Sequence, residues 1–213
     1  MLTELFFPRA CLSCRATGHR FLCPACEAAF PAIGPSCARC SRPLPAPAPR
    51  CSDCAHDPAF SRARAVATYA GVARDALMTL KFGGERRAAA ALAERMASLA
   101  PAADVATFVP PSAGLGLGAY NTAEELARAV ARLLRMPCRP LLAKVRRTAD
   151  QASLGRERRR RNLAGAFRSR PVRGRVLLVD DVMTTGATAD ACARALREAG
   201  AEDVGVLTFT RAV

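Results

Sequence analysis

The most informative stretch of hydrophobic patterning runs from Val176 to Thr188, VLLVDDVMTTGAT. Four consecutive apolar residues, Val176 to Val179, predict a strand buried on both faces, with Asp180 and Asp181 where it ends. Small residues then open a helix that places Ala189, Cys192, Leu196 and Ala199 on one face and stops at Gly200. Upstream, strands are expected over Ala63 to Tyr69 and Val105 to Val109, the second halted by Pro110 and Pro111. Helices are expected over Arg74 to Phe82 and over Glu85 to Leu99. Asn121 is placed to cap a further helix, with Glu124 three residues on as its capping partner. That helix buries Leu126, Val130, Leu133 and Leu134 and stops at Pro137. Val204 to Phe209 reads as a last strand. Strands alternating with helices predict an α/β domain, a mainly parallel sheet flanked by helices. In such sheets ligands bind at the carboxyl ends of strands, which is where Asp180 lies.

The first 54 residues follow another logic. They hold eight of the ten cysteines, arranged as four Cys-x-x-Cys knuckles: Cys11/Cys14, Cys23/Cys26, Cys37/Cys40 and Cys51/Cys54. Each knuckle aims two sulfurs at one centre, and two knuckles complete a tetrahedral thiolate cage for Zn2+. Two structural zinc sites are expected, with sulfur in every ligand position. Sequential pairing closes the shortest loops, although spacing alone leaves a crossed pairing open. His19 and His56 lie near the knuckles without being needed as ligands. Arg42 to Arg50, with four prolines, is expected to be a stiff extended loop without regular hydrogen bonding. The domain division is therefore 1–58, a small zinc-ribbon domain, and 59–213, the α/β domain. Cys138 and Cys192 read as small core residues.

Composition adds a charge of +14 over 213 residues, nearly all of it from arginine. Two four-thiolate zinc sites would each carry about −2 and leave the loaded protein near +10. A solvated basic surface and an anionic partner are both compatible with that balance. The basic residues are densest from Arg139 to Arg175, with Arg156-Glu157-Arg158-Arg159-Arg160-Arg161 at the centre. Weak periodicity there predicts an irregular excursion over 139–175, in the position of a lid or hood. With aromatics at 5% and no Trp, base stacking has little to work with, so any nucleic-acid binding would rest on phosphates. No apolar run is long enough to span a bilayer, and the N-terminus lacks the charged start and apolar stretch of a signal peptide. A cytoplasmic protein with no membrane insertion is expected.

The chemistry concentrates at Asp180 to Thr188. Backbone N–H groups and hydroxyls of Met183, Thr184, Thr185, Gly186, Ala187 and Thr188 at a helix N-terminus suit a phosphate. Carboxylates beside them suit what that phosphate carries, a ribose diol or Mg2+.

These residues resemble the phosphoribosyl pyrophosphate loop of type I phosphoribosyltransferases, and the four knuckles ahead of them narrow the likeness to the ComF family. Leu80-Lys81-Phe82 with Gly84 resembles that family's lysine segment, and Val109-Pro110 its first substrate loop. Arg146-Arg147-Thr148 with Gln151, then Arg158, Asn162 and Gly165-Ala166-Phe167, resemble its middle signature. The resemblance implies that Asp180 and Asp181 hold the ribose hydroxyls and that the loop cradles the 5-phosphate. It also implies Mg2+ bound with phosphoribosyl pyrophosphate, and Lys81, Arg147 and Arg158 meeting the pyrophosphate. Catalytic roles fall by this likeness to Asp180, Asp181 and Lys81, acting by positioning and electrostatics. It further implies a part in natural competence, handling incoming single-stranded DNA beside a helicase. One departure stands out. The arginine-bearing segment usual after the first substrate loop is replaced by Pro110-Pro111-Ser112-Ala113-Gly114-Leu115-Gly116-Leu117-Gly118-Ala119-Tyr120-Asn121-Thr122, in which Tyr120-Asn121 alone resembles that segment, and a loop without cations binds a diphosphate less well. The alternative reading is a catalytically inactive zinc-ribbon protein that binds nucleic acid or acts as an adaptor.

Overall fold

A computed structural model describes residues 10–19, 21–82, 86–111, 121–146 and 161–212, without the side chains of residues 86 and 87. Its centre is a four-stranded parallel sheet of β1 (Arg62–Thr68), β2 (Val105–Phe108), β5 (Arg175–Met183) and β6 (Asp203–Arg211), in the order β1-β6-β5-β2. Every neighbouring pair is parallel. The outer edge of β2 gains a single bridge, from Ala106 to Cys138. Along β5, Val176 and Leu178 enter one apolar cluster and Leu177 and Val179 the other. Alternate side chains of one strand thus serve the layers on both faces of the sheet.

One face carries α2 (Gly71–Phe82), α3 (Arg86–Ala97) and α4 (Thr122–Leu133), and the other carries α5 (Ala187–Glu198). Alanine-rich helix faces approach the sheet closely: Ala73, Ala76, Ala88, Ala89, Ala93, Ala127 and Ala131 are all buried. With no Trp to fill space, the core closes by bringing backbones together.

Several elements differ from the sequence expectation. β5 continues through both aspartates to Met183, because β6 continues to Arg211 and pairs Val182 with Thr210 and Met183 with Arg211. The acids therefore lie within the strand rather than after it. α2 begins three residues early, at Gly71. Asn121 caps α4 by accepting from the Ala123 N–H at 3.1 Å, but Glu124 closes no capping box. Its carboxylate takes Arg128, one turn on, at 2.6 Å. Leu133 is exposed, since α4 ends there and its apolar stripe has already passed onto the sheet. Residues 139–175 are not wholly irregular: β3 (Leu142–Lys144) and β4 (Phe167–Ser169) pair antiparallel.

The proline segment is also more tied than expected. Leu44 N–H donates to Pro35 and Ala48 N–H to Ser36, while Ala38 N–H donates to the Ala48 carbonyl. The prolines lack donors, but the residues between them bond back to the strand-like run ahead of Cys37.

Candidate functional site

The two cysteine sets pair sequentially. Cys11, Cys14, Cys23 and Cys26 bring their sulfurs within 4.8 Å of one another, and so do Cys37, Cys40, Cys51 and Cys54. Both clusters use the same local device. The first knuckle is a tight turn whose next residue, Arg15 or Ser41, adopts positive φ and donates its N–H to the first cysteine's carbonyl. The second knuckle opens on a short helix, α1 (Pro24–Ala28) in one case and the 3-10 turn Ser52–Cys54 in the other.

The donor set fits zinc. Burial and the neighbouring thiols push Cys26 up to about 12, and burial pushes Cys40 up to about 11 against the pull of the Arg211 charge. In Cys11 burial also raises the thiol, but backbone donors at Cys23, Ser13 and Cys14 outweigh it and bring it down to about 6. Four sulfurs this close cannot all ionise without a cation among them, and a divalent ion reverses that penalty. All four positions of each cluster are filled by sulfur, the pattern of a structural rather than a catalytic zinc.

At the carboxyl end of β5 the structure brings together the acids, the small-residue loop and one predicted cation. Lys81, near the end of α2, places its Nζ 2.6 Å from Asp181 Oδ2. Asp180 accepts the Asp181 N–H at 2.9 Å. Burial, and then the adjacent Asp181 charge, push Asp180 well above the usual carboxylate range, while the Asp181 N–H and Lys81 pull the other way. The Cys192 thiol of α5, raised first by burial, is raised further by Asp180. The acid pair thus reaches toward both helix layers, Asp181 to α2 and Asp180 to α5.

The loop itself is short. Thr184 is exposed, Thr185 half-buried, and Gly186 sits at the N-cap of α5 with φ +79°. A side chain at Gly186 would be strained by that φ and would also meet the Met183 methyl, 2.7 Å from an ideal Cβ. Thr185 turns its hydroxyl to accept the Ala187 N–H at 3.3 Å. Thr188 lies within the first turn of the helix. Arg147 and Arg158 lie outside the described residues, as does the glycine-rich run 112–120.

Three residues that sequence reasoning passed over tie the α/β part of the molecule to the ribbon. Arg211, the last residue of β6, is buried. Its Nη1 donates to the Met183 carbonyl at 3.0 Å, to the Thr184 carbonyl, and to Ala212 at 2.6 Å. Its Nε reaches the Cys40 carbonyl at 3.3 Å and its Nη2 reaches Asp53 at 3.4 Å. Asp53, between two zinc ligands, also binds Arg42 at 2.5 Å. Asp190, in α5, accepts the Ala59 N–H at 2.7 Å and lies 3.5 Å from His56. The available signals were an acid between Cys51 and Cys54 and an arginine closing the uncharged run Val204 to Thr210.

Two further hollows lie elsewhere. One of about 690 Å³ sits at the amino ends of the strands, lined by Asp104, Arg139, Arg173 and Gly200 among others. One of about 450 Å³ runs along α5 beside Leu163 and Phe167. Neither is lined by Asp180 or Asp181. Among the described residues no helix is long and apolar enough to cross a membrane.

Comparison with known proteins agrees with this architecture. Residues 2–55 match the double zinc ribbon domain and residues 118–212 the phosphoribosyl transferase domain. Among curated proteins, Competence protein F of Haemophilus influenzae is 37% identical over 100 residues, 44% of this chain and 43% of its own. DNA utilization protein YhgH of Escherichia coli O6:H1 is 38% identical over 97 residues, 43% of this chain and 42% of its own. The matches thus span less than half the length of these relatives.

Proposed function

Starting from a chain that joins a double zinc ribbon to a phosphoribosyltransferase domain, as in the ComF family, we propose that it binds a phosphorylated ribose, phosphoribosyl pyrophosphate or a close relative, at the carboxyl end of β5. The observation that carries this reading is the junction of Asp180 and Asp181 with the loop that starts α5, with Lys81 drawn onto the acids from another helix. Amides and hydroxyls of Met183 to Thr188 receive the 5-phosphate. Asp180 and Asp181 accept from the ribose hydroxyls. Lys81, released from Asp181, turns to the pyrophosphate together with Arg147 and Arg158. Mg2+ bound with the ligand would neutralise the leaving diphosphate. If an acceptor is present the outcome is glycosyl transfer, with the protein acting by positioning and charge.

Titration calorimetry with phosphoribosyl pyrophosphate and Mg2+ tests the binding. Heat is expected from the zinc-loaded protein and a loss of at least tenfold in affinity from Asp180→Asn/Asp181→Asn. No heat, or equal binding by the double variant, overturns the reading. Pyrophosphate release across a panel of acceptors separates an enzyme from a binding module.

The names of two relatives, a competence protein and a DNA utilization protein, point toward DNA, and we propose a second, compatible role in handling incoming single-stranded DNA, for which a net charge of +14 supplies the attraction. With few aromatics, that binding rests on phosphates and falls steeply with salt. Single-strand affinity indifferent to salt rejects that mechanism. Binding of DNA without ribose phosphate would leave the zinc-ribbon adaptor reading in its place.

A further inference from the structure

We propose that Arg211 is a positioning residue through which the second cysteine cluster holds the loop Met183 to Thr188 in its anion-binding shape. Geometry carries the case. A trans peptide unit points its C=O and its N–H in opposite directions. Arg211 draws the Met183 and Thr184 carbonyls onto its guanidinium, and the Ala212 N–H fixes the Met183 carbonyl at 2.9 Å as well. The N–H groups of Thr184 and Thr185, in those same two peptide units, are thereby turned away from the guanidinium. They are the donors that lead into Gly186 and the start of α5.

The other side of the guanidinium belongs to the ribbon. Nε donates to the Cys40 carbonyl and Nη2 to Asp53, which is flanked by Cys51 and Cys54. One planar group therefore touches two of the loops that must close around a metal and both carbonyls of the loop that must stay open to an anion. Arg211 is only 1% exposed, so water cannot replace either set of bonds. If the second cluster opens, the carbonyl of Cys40 and the carboxylate of Asp53 move, and the fork that sets the loop loses two of its five acceptors. The first cluster has no such link among the described residues: it meets α2 through Ser13 to Asp75 and Leu12 to Thr79.

This inference rests on reading the loop as an anion site, and its test keeps the two apart. Amide hydrogen exchange at residues 183–188 is measured on the full-length, zinc-loaded chain, alongside calorimetry with ribose 5-phosphate. Cys40→Ser is expected to speed loop exchange at least tenfold and to weaken ribose 5-phosphate by a similar factor. Cys14→Ser should leave both within about twofold, and the amides of β2 should stay protected in both variants. Arg211→Lys, which keeps the charge and loses the fork, should match Cys40→Ser, and combining the two should add nothing. If Cys40→Ser does not fold, Asp53→Asn takes its place. It is expected to loosen the loop while the chain still holds two zinc ions. Equal loosening by Cys14→Ser, or a loop that stays protected in Arg211→Lys or in Asp53→Asn, overturns the proposal. A wild type that fails to bind ribose 5-phosphate, with the exchange pattern as expected, sinks the ligand reading alone.

Discussion

The two cysteine clusters share knuckle spacing and turn geometry but not their seats. The first rests on the outside of α2 and α3. Cys11, Cys23 and Cys26 pack with Leu22 and Val72 in a small cluster of their own. Around it Thr79 donates to the Leu12 carbonyl at 2.8 Å, and Arg95 grips Glu27 while lying over the rings of Phe21 and Phe30. The second is part of the main core. Cys37, Cys40 and Cys54 belong to the same cluster as Val176, Leu178 and Cys192, and Ser41, Ala38 and Arg39 all bond to β1. Each ribbon buttresses a different part of the site: the first the helix that carries Lys81, the second the strand ends and the loop. One motif used twice therefore serves as a peripheral brace and as a piece of the core, according to what its ligand loops bury.

That contrast can be broken by experiment. The largest effect is expected from Cys40→Ser. A structural zinc site contributes folding free energy outright, and here its loss opens one side of the core, so the chain should lose one zinc and its main thermal transition should move well down while the sheet still folds. Cys14→Ser should also lose one zinc yet keep the main transition; identical melts for the two variants would erase the difference in seating. Next comes Asp53→Ala, which strips the carboxylate from Arg211 and Arg42. Leaving buried charge unpartnered costs about 3–5 kcal/mol, read as a fall in the denaturant midpoint. Thr79→Val removes one hydroxyl bond between α2 and the first ribbon and should cost about 1 kcal/mol, with zinc content unchanged.

Asp180→Asn should act in the opposite direction on stability. Because the folded state holds Asp180 above its ordinary value, the folded chain keeps a proton that the unfolded chain has released. Stability therefore falls as pH rises from the usual carboxylate range toward the raised one. An amide there removes that penalty. The ligand-free variant should melt a few degrees higher at neutral pH, about 1 kcal/mol for a chain of this size, with no gain below pH 4. A lower melting point at neutral pH would show that the carboxylate is not strained.

Much of this was readable in the chain, and for local reasons. The run Val176 to Val179 could only be a buried strand, and Gly186 and the threonines mark a helix start whatever surrounds them. Four Cys-x-x-Cys knuckles announce metal at short range. Features that depend on partners far along the chain were not readable. Glu124 had a capping role available and took Arg128 instead. Leu133 fitted the apolar spacing of α4 and ended outside the contact. The β3–β4 pair hid among charges because each strand is only three residues long: Ala143 and Arg168 face out, and half-buried Lys144 shares the inner face with Leu142 and Phe167.

By itself the sequence determined the strands of the central sheet and the helices on its faces, the cysteines of both cages and the acid–threonine loop, since each depends on the chemistry of residues a few positions apart. Only the tertiary structure decided that Lys81 meets Asp181, that neighbouring knuckles bring their sulfurs together, and that Arg211 joins a ribbon to a loop far along the chain. Those pairings depend on which buried polar groups find one another once the sheet has formed, and an unmet guanidinium or carboxylate in the core costs too much to be left without a partner.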